Sequence, residues 1–225
     1  MLLPHPTPLS SGPDALPIDS IAEGATDINF NNDGLTGTVP TELGQFTEVG
    51  SLSLGYNQLT GVIPTEIGQM RKLTTGGYGF FCGNKLTGTI PTELGMLGQM
   101  GESFSLSYNL FSGAVPSQFG QLVQMSSSFR LQRTFSSTVP TQLGRLEKME
   151  SYFVLQSNSF SSTVPTQLGR LEKMAWSFYL MSNNFCGDVP TEVQALSSGV
   201  TIWKVTSGNS FGEVSLWGWV CTGEG

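Results

Sequence analysis

The stretch Val49-x-x-Leu52-x-Leu54-x-x-Asn57-x-Leu59-Thr60-Gly61-x-Ile63-Pro64-Thr65-Glu66-Ile67-Gly68 decides the fold. Leu52 and Leu54 alternate with small polar neighbours, a period of two that predicts a short strand buried on one side. Asn57 then turns the chain inward, where its side chain can hydrogen-bond the backbone of neighbouring copies and satisfy a buried turn. Thr65 to Gly68 reads as a single helical turn, with Thr65 capping the exposed amides and Gly68 ending the turn in a left-handed conformation.

The same unit recurs along the chain. An aliphatic-proline pair stands at Val39-Pro40, Ile63-Pro64, Ile90-Pro91, Val115-Pro116, Val139-Pro140, Val164-Pro165 and Val189-Pro190, with proline intervals of 24, 27, 25, 24, 25 and 25. A Thr/Ser-x-x-Gly motif follows each pair except the last, where Thr191-Glu192-Val193-Gln194 loses the glycine. One such unit cannot bury its own apolar face, whereas stacked units share a continuous core.

From about Ile28 to Ser198 these residues resemble the leucine-rich repeat family, in its plant-type class, where LxxLxLxxN is followed by LTGxIPxxLGxL. The resemblance implies an α/β repeat fold, a right-handed solenoid of about seven to eight coils. Its parallel β-sheet would line the concave face, with short helical or 3-10 turns on the convex side. A lateral set of short strands is implied around the Thr-Gly-x-Ile-Pro segment.

Departures from the pattern locate the irregularities. Asp33 replaces Asn in the first coil, and later coils put Phe at Phe104, Phe111, Phe135, Phe153, Phe160, Phe178 and Phe185, which predicts an aromatic spine. The 27-residue interval slips around Tyr78 to Phe81 and predicts a bulge or loop there. The coil from Phe129 to Thr134 is one residue short and lacks the Asn, so its ladder position is weak and its register is open. Residues Phe135 to Met149 recur identically as Phe160 to Met174, as though a whole coil had been copied.

The expected boundaries are an N-terminal arm over 1–24, repeats over 25–199 and a C-terminal cap over 200–225, closed by Leu216-Trp217-Gly218-Trp219-Val220. The family's usual cysteine-paired N-terminal cap is absent. Of the three cysteines, Cys186 and Cys221 both fall near the last turn and the cap, which favours a disulfide between them. Cys82 lies four coils away, too far to bridge at about 4.8 Å per coil. The alternative is three reduced thiols in an intracellular protein.

Composition narrows the function. Ten Lys and Arg against 17 Asp and Glu give a net charge of -7, which argues against nucleic acid and anionic membranes as partners. The single histidine, His5, excludes a histidine-centred triad or a multi-histidine metal site. No apolar run is long enough to span a bilayer, and Pro4 interrupts Met1-Leu2-Leu3 before a signal-peptide core forms, so any secretion signal lies outside this chain. Glu42, Glu66 and Glu93 recur with the motif as helix N-terminal charges, not as an acid/base pair. No cofactor, metal or catalytic residue is expected, and the chain reads as a non-enzyme.

On the concave sheet the outward columns read Asn29, Ser53, Ser105, Arg130, Val154, Tyr179 and Asn31, Gly55, Ser107, Gln132, Gln156, Met181. The first half is small and polar. The second carries Arg130, Gln132, Arg133, Tyr152, Gln156, Tyr179 and Met181, a set rich in interface-anchoring residue types and the expected partner-binding patch. The resemblance then implies an extracellular or cell-surface recognition module for a protein, peptide or glycan. A structural reading makes the chain an intracellular accessory subunit or scaffold in a larger complex. A third reading, binding of ice or a mineral surface by Thr and Ser rows, is disfavoured by the uneven repeat spacing.

Overall fold

The computed structural model describes residues 15–133 and 135–211. Ten short strands, numbered along the chain, form two parallel arrays. The concave array holds β1 (Asp27–Asn29), β2 (Ser51–Ser53), β3 (Ser127–Arg130), β5 (Ser151–Val154), β7 (Ser177–Tyr179) and β9 (Ile202–Lys204). The lateral array holds β4 (Ser136–Ser137), β6 (Ser159–Ser162), β8 (Asn184–Gly187) and β10 (Ser210–Phe211). Every paired strand is parallel, as expected where each coil returns the chain to the same edge one layer on. The fold is the expected leucine-rich repeat solenoid, with its lateral strands at the predicted segment.

The concave array is continuous but thin in the middle. Between β2 and β3 no paired strand forms; single bridges from Ser51 to Thr75, Thr75 to Glu102 and Glu102 to Ser127 carry it, with isolated backbone hydrogen bonds such as that from the Phe81 amide to the Ser105 carbonyl at 3.1 Å. The expected break near Tyr78 is therefore present, and it spreads into the next coil, where Phe104 to Leu106 forms no strand beyond a bridge from Ser105 to Arg130. The coil at Arg130, whose register the sequence left open, instead forms a strand paired with β5, its register skipping the left-handed Ser128 and Tyr152. Its missing residue falls after the strand, so the ladder upstream is intact.

Asn57 performs the predicted turn. Its Nδ2 donates to the carbonyls of Phe30 at 2.7 Å, Leu54 at 3.0 Å and Gly55 at 3.1 Å, while its Oδ1 accepts from the amides of Asp33 at 3.1 Å and Leu35 at 3.0 Å. Asn84, Asn109, Asn158, Asn183 and Asn209 repeat this arrangement along the stack. The residue before each ladder position is left-handed, with φ between 55° and 62° at Asn32, Tyr56, Tyr108, Arg133, Ser157 and Ser182. Asn209 and β10 extend the pattern past 199; the segment Leu216 to Val220, expected to close the core, lies outside the described residues.

The aromatic spine is double. Phe104, Phe129, Phe153, Phe178 and Trp203 stack at successive centroid distances of 5.5, 5.7, 5.3 and 5.1 Å. Under the lateral strands Phe135, Phe160, Phe185 and Phe211 form a second file at 6.3, 6.1 and 6.3 Å. Offset or tilted rings at these separations add to the burial of apolar area that holds each coil to the next.

The convex turns correct the sequence reading in one respect. They are 3-10 turns such as Thr41–Gln45 and Thr65–Gln69, and a short α-helix only at Thr191–Ala195. Pro stands at each N-cap, no side chain caps the amides, and the Thr41 hydroxyl instead donates to its neighbour Glu42 at 3.2 Å. The motif glycine sits inside the turn without a positive φ; a Cβ on Gly44 would lie 2.4 Å from the Glu66 carbonyl oxygen, so its smallness lets adjacent turns touch.

Candidate functional site

Arg130 and Arg133 come from the same coil and reach in opposite directions along the stack. The Arg130 guanidinium lies over the ring of Tyr152 in the following coil, 4.7 Å from its centroid. That of Arg133 lies over Tyr108 in the preceding coil, at 5.3 Å. Each ring holds a cation that has no carboxylate partner, since the one ion pair among the described residues joins Lys72 to Glu48 elsewhere. Strand β3 positions Arg130, and left-handed backbone at Arg133, at Tyr108 and within β5 at Tyr152 turns these side chains out of the core.

The other expected residues are spread more widely. Gln132 is buried in the floor beside Arg130, its backbone N–H donating to the Ser107 hydroxyl at 2.9 Å. Tyr179 is half-buried on β7, in register with Val154 and Lys204. Gln156 and Met181 are half-buried on the two coils beyond β3. The structure thus brings Arg130 and Tyr152 together and places Tyr179 and Met181 a further coil away, not in the same cluster.

A hollow of about 240 Å³ opens on the other side of Arg130, over the long coil. Tyr56, Tyr78 and Tyr108 stand around it, Ser103 and Ser105 floor it, and Arg130 is its sole cation among the described residues. Tyr56 and Tyr108 are 56% and 46% exposed, and among the described residues no acidic side chain lines the space. The sequence columns missed these tyrosines because they occupy the position just before the ladder Asn; counting outward residues one place further finds both.

Cys82 closes the base of the hollow. Its thiol is buried and shares hydrogen bonds with the Tyr56 and Ser105 side chains. Burial pushes the Cys82 thiol above its ordinary value, against the opposing pull of those hydrogen bonds and of Arg130. The neighbouring Cys82 charge, then burial, push the Tyr56 phenol up as well. Cys82 is a protonated thiol at neutral pH, the reverse of an activated nucleophile. No group of three His, Cys, Asp or Glu that could hold a metal occurs among the described residues. Cys186 lies on β8, and Cys221, its expected partner, lies outside the described residues.

A leucine rich repeat family model matches residues 49–70, the unit around Asn57. The repeats are leucine-rich repeats of the plant type. Among solved structures, these repeats are similar to the ectodomain of the plant membrane receptor kinase GASSHO1/SCHENGEN3 from Arabidopsis thaliana, in complex with CASPARIAN STRIP INTEGRITY FACTOR 2. That match is 32% identical with a TM-score of 0.73 and covers 80% of this chain and 21% of that one. They are also similar to the plant peptide hormone receptor RGFR1 in complex with RGF2, at 25% identity and a TM-score of 0.62, over 79% of this chain and 31% of that one. A plant ice-binding protein, 21% identical with a TM-score of 0.57 over 83% of this chain and 65% of that one, shares the leucine-rich repeat fold. The chain therefore spans about a fifth to a third of the length of the two receptors. No curated protein matches it. Among the described residues no helix is long and apolar enough to cross a membrane.

Proposed function

We propose that the chain is a non-enzymatic recognition module of the extracellular space or cell surface, binding a protein, peptide or glycan through its concave sheet and lateral strands. The observation that carries this reading is the run of exposed tyrosines holding two unpaired guanidinium groups on the concave face. Tyr and Arg anchor interfaces most often, and here stacking fixes them in place before a partner arrives. The two receptors with which the chain shares its repeats are each in complex with a second molecule, which supports the same use of the scaffold.

The test is partner capture from the native extracellular fluid, compared between the natural protein and the triple variant Arg130→Ala, Arg133→Ala, Tyr152→Ala. Loss of the captured partner at unchanged thermal unfolding supports the concave patch; undiminished capture moves the site to the lateral strands or the ends. Thiol counting by intact mass under non-reducing conditions separates the compartments. A single free thiol, at Cys82, fits the extracellular reading and a Cys186–Cys221 bridge. Three free thiols make the chain an intracellular accessory subunit instead.

A further inference from the structure

The geometry points to the hollow over the long coil as a subsite for one acidic sugar ring, a uronate, with its carboxylate on Arg130. This rests on the concave face being the recognition surface; it narrows the glycan of that reading to an acidic sugar and places it in a hollow beside the Arg130–Tyr179 patch. At about 240 Å³ the hollow is smaller than the roughly 300–1,000 Å³ that drug-sized ligands fill, so it takes a single ring or side chain and not an extended one. Its walls are aromatic at Tyr56, Tyr78 and Tyr108, which offer apolar surface to the C–H faces of a sugar. Its floor is hydroxyl-bearing at Ser103 and Ser105, groups that can both donate to and accept from the hydroxyls of a sugar ring.

Charge selects the acidic sugar over a neutral one. Among the described residues Arg130 faces the hollow without a carboxylate partner, in a chain whose net charge is -7, and no acidic side chain lines the space. A guanidinium already stacked on Tyr152 is held in orientation, so a carboxylate gains a charge-assisted, two-pronged hydrogen bond at little further ordering cost. A peptide side chain would use the cation but leave the hydroxyl floor unmatched, which is why a sugar acid fits better.

The experiment is ligand-detected NMR and calorimetry on the full chain with tri-galacturonate and tri-glucuronate, and with the neutral tri-galactoside as control. Saturable binding of an acidic trimer is expected, at least 10-fold weaker for the neutral one and at least 10-fold weaker in Arg130→Gln and in Tyr56→Ala, with Tyr56→Phe retaining most of it. The bound sugar should also slow alkylation of Cys82 at the base of the hollow. Equal affinity for the neutral trimer, no saturable binding of either acidic trimer, or affinity untouched by Arg130→Gln overturns the inference, as does displacement of the ring by a short acidic peptide at lower concentration. Partner capture by Tyr179→Ala and Arg133→Ala variants reads the concave reading separately. Capture that is sensitive to those variants while no uronate binds sinks the sugar subsite alone.

Discussion

The guanidinium of Arg130 sits 4.7 Å from the centroid of the Tyr152 ring, joining one coil to the next across the concave face. At a site where Tyr152 is 39% exposed, such a contact contributes about 0.5–1 kcal/mol. A double-mutant cycle with Arg130→Gln and Tyr152→Ala, followed by urea unfolding, is expected to return a coupling of about that size. The pair positions a cation more than it stabilises the fold; coupling above about 2 kcal/mol would make it a structural clamp instead.

Replacing Asn109 by Leu tests the ladder. Its Nδ2 donates to Phe81, Leu106 and Ser107 carbonyls and its Oδ1 accepts from the Leu86 amide at 3.1 Å, all in a buried turn. The substitution orphans several of these groups at about 1–3 kcal/mol each, partly relieved by water, so a loss of about 2–4 kcal/mol in unfolding free energy is expected. A loss below 1 kcal/mol would show the turn to be open to solvent.

The lateral strands carry a correctable strain. Gly37, Gly61, Gly88, Gly113 and Gly187 hold one left-handed column, but the two copied coils place Ser137 (φ 81°) and Ser162 (φ 72°) there. Left-handed backbone costs an L-residue about 1–2 kcal/mol, and glycine's extra chain entropy returns part of that. Ser137→Gly and Ser162→Gly should therefore each raise stability by about 0.5–1 kcal/mol in a chemical melt. The reverse change, Gly88→Ala, meets both a φ of 74° and the Val62 Cγ1 at 2.8 Å and should destabilise.

On the convex side, Gly120→Ala would put a Cβ 2.5 Å from the Gln142 carbonyl oxygen. Backbone cannot rotate away as a side chain does, so the expected cost is at the upper end of the about 1–3 kcal/mol typical of overpacking. Thermal unfolding of this variant against Gly98→Ala, where the nearest atom is 4.0 Å away, isolates the contact.

Alkaline pH should weaken the fold through Cys82. The folded protein keeps this thiol protonated above its ordinary 9.0, whereas the unfolded chain ionises there. Stability is thus full below pH 9.0 and falls as pH rises through the folded value, with Tyr56 adding a decline of the same sign above 10.0. Cys82→Ala removes the first part of the fall and, because the Cys82 charge is the largest cause of the Tyr56 shift, lessens the second, which denaturant melts between pH 8 and 10.5 would register.

Repetition made the architecture legible. Seven aliphatic-proline pairs, the Asn57 turn and the recurring phenylalanines each report a contact that is made again one coil on, so a pattern in sequence translates directly into a column in space. Gly44 was legible as small but not for the right cause, because the 2.4 Å approach of the Glu66 carbonyl is a distance between coils and leaves no local signature. Arg130 was found as an outward residue; Tyr56 and Tyr108 were not, since a left-handed turn turns a position adjoining a buried Asn onto the exposed face. The middle of the concave sheet failed for a related reason: the insertion at Tyr78 breaks the even register there, so the next coil, regular in sequence, pairs through single bridges and not a full strand.

The double file of aromatic rings also governs how the molecule responds to tension. Along each file a ring touches the ring before and the ring after it, from Phe104 to Trp203 and from Phe135 to Phe211, so a pull applied at the two ends loads these contacts in series. The stack then yields one layer at a time, each rupture paying out about 25 residues, or roughly 80–90 Å of extended chain.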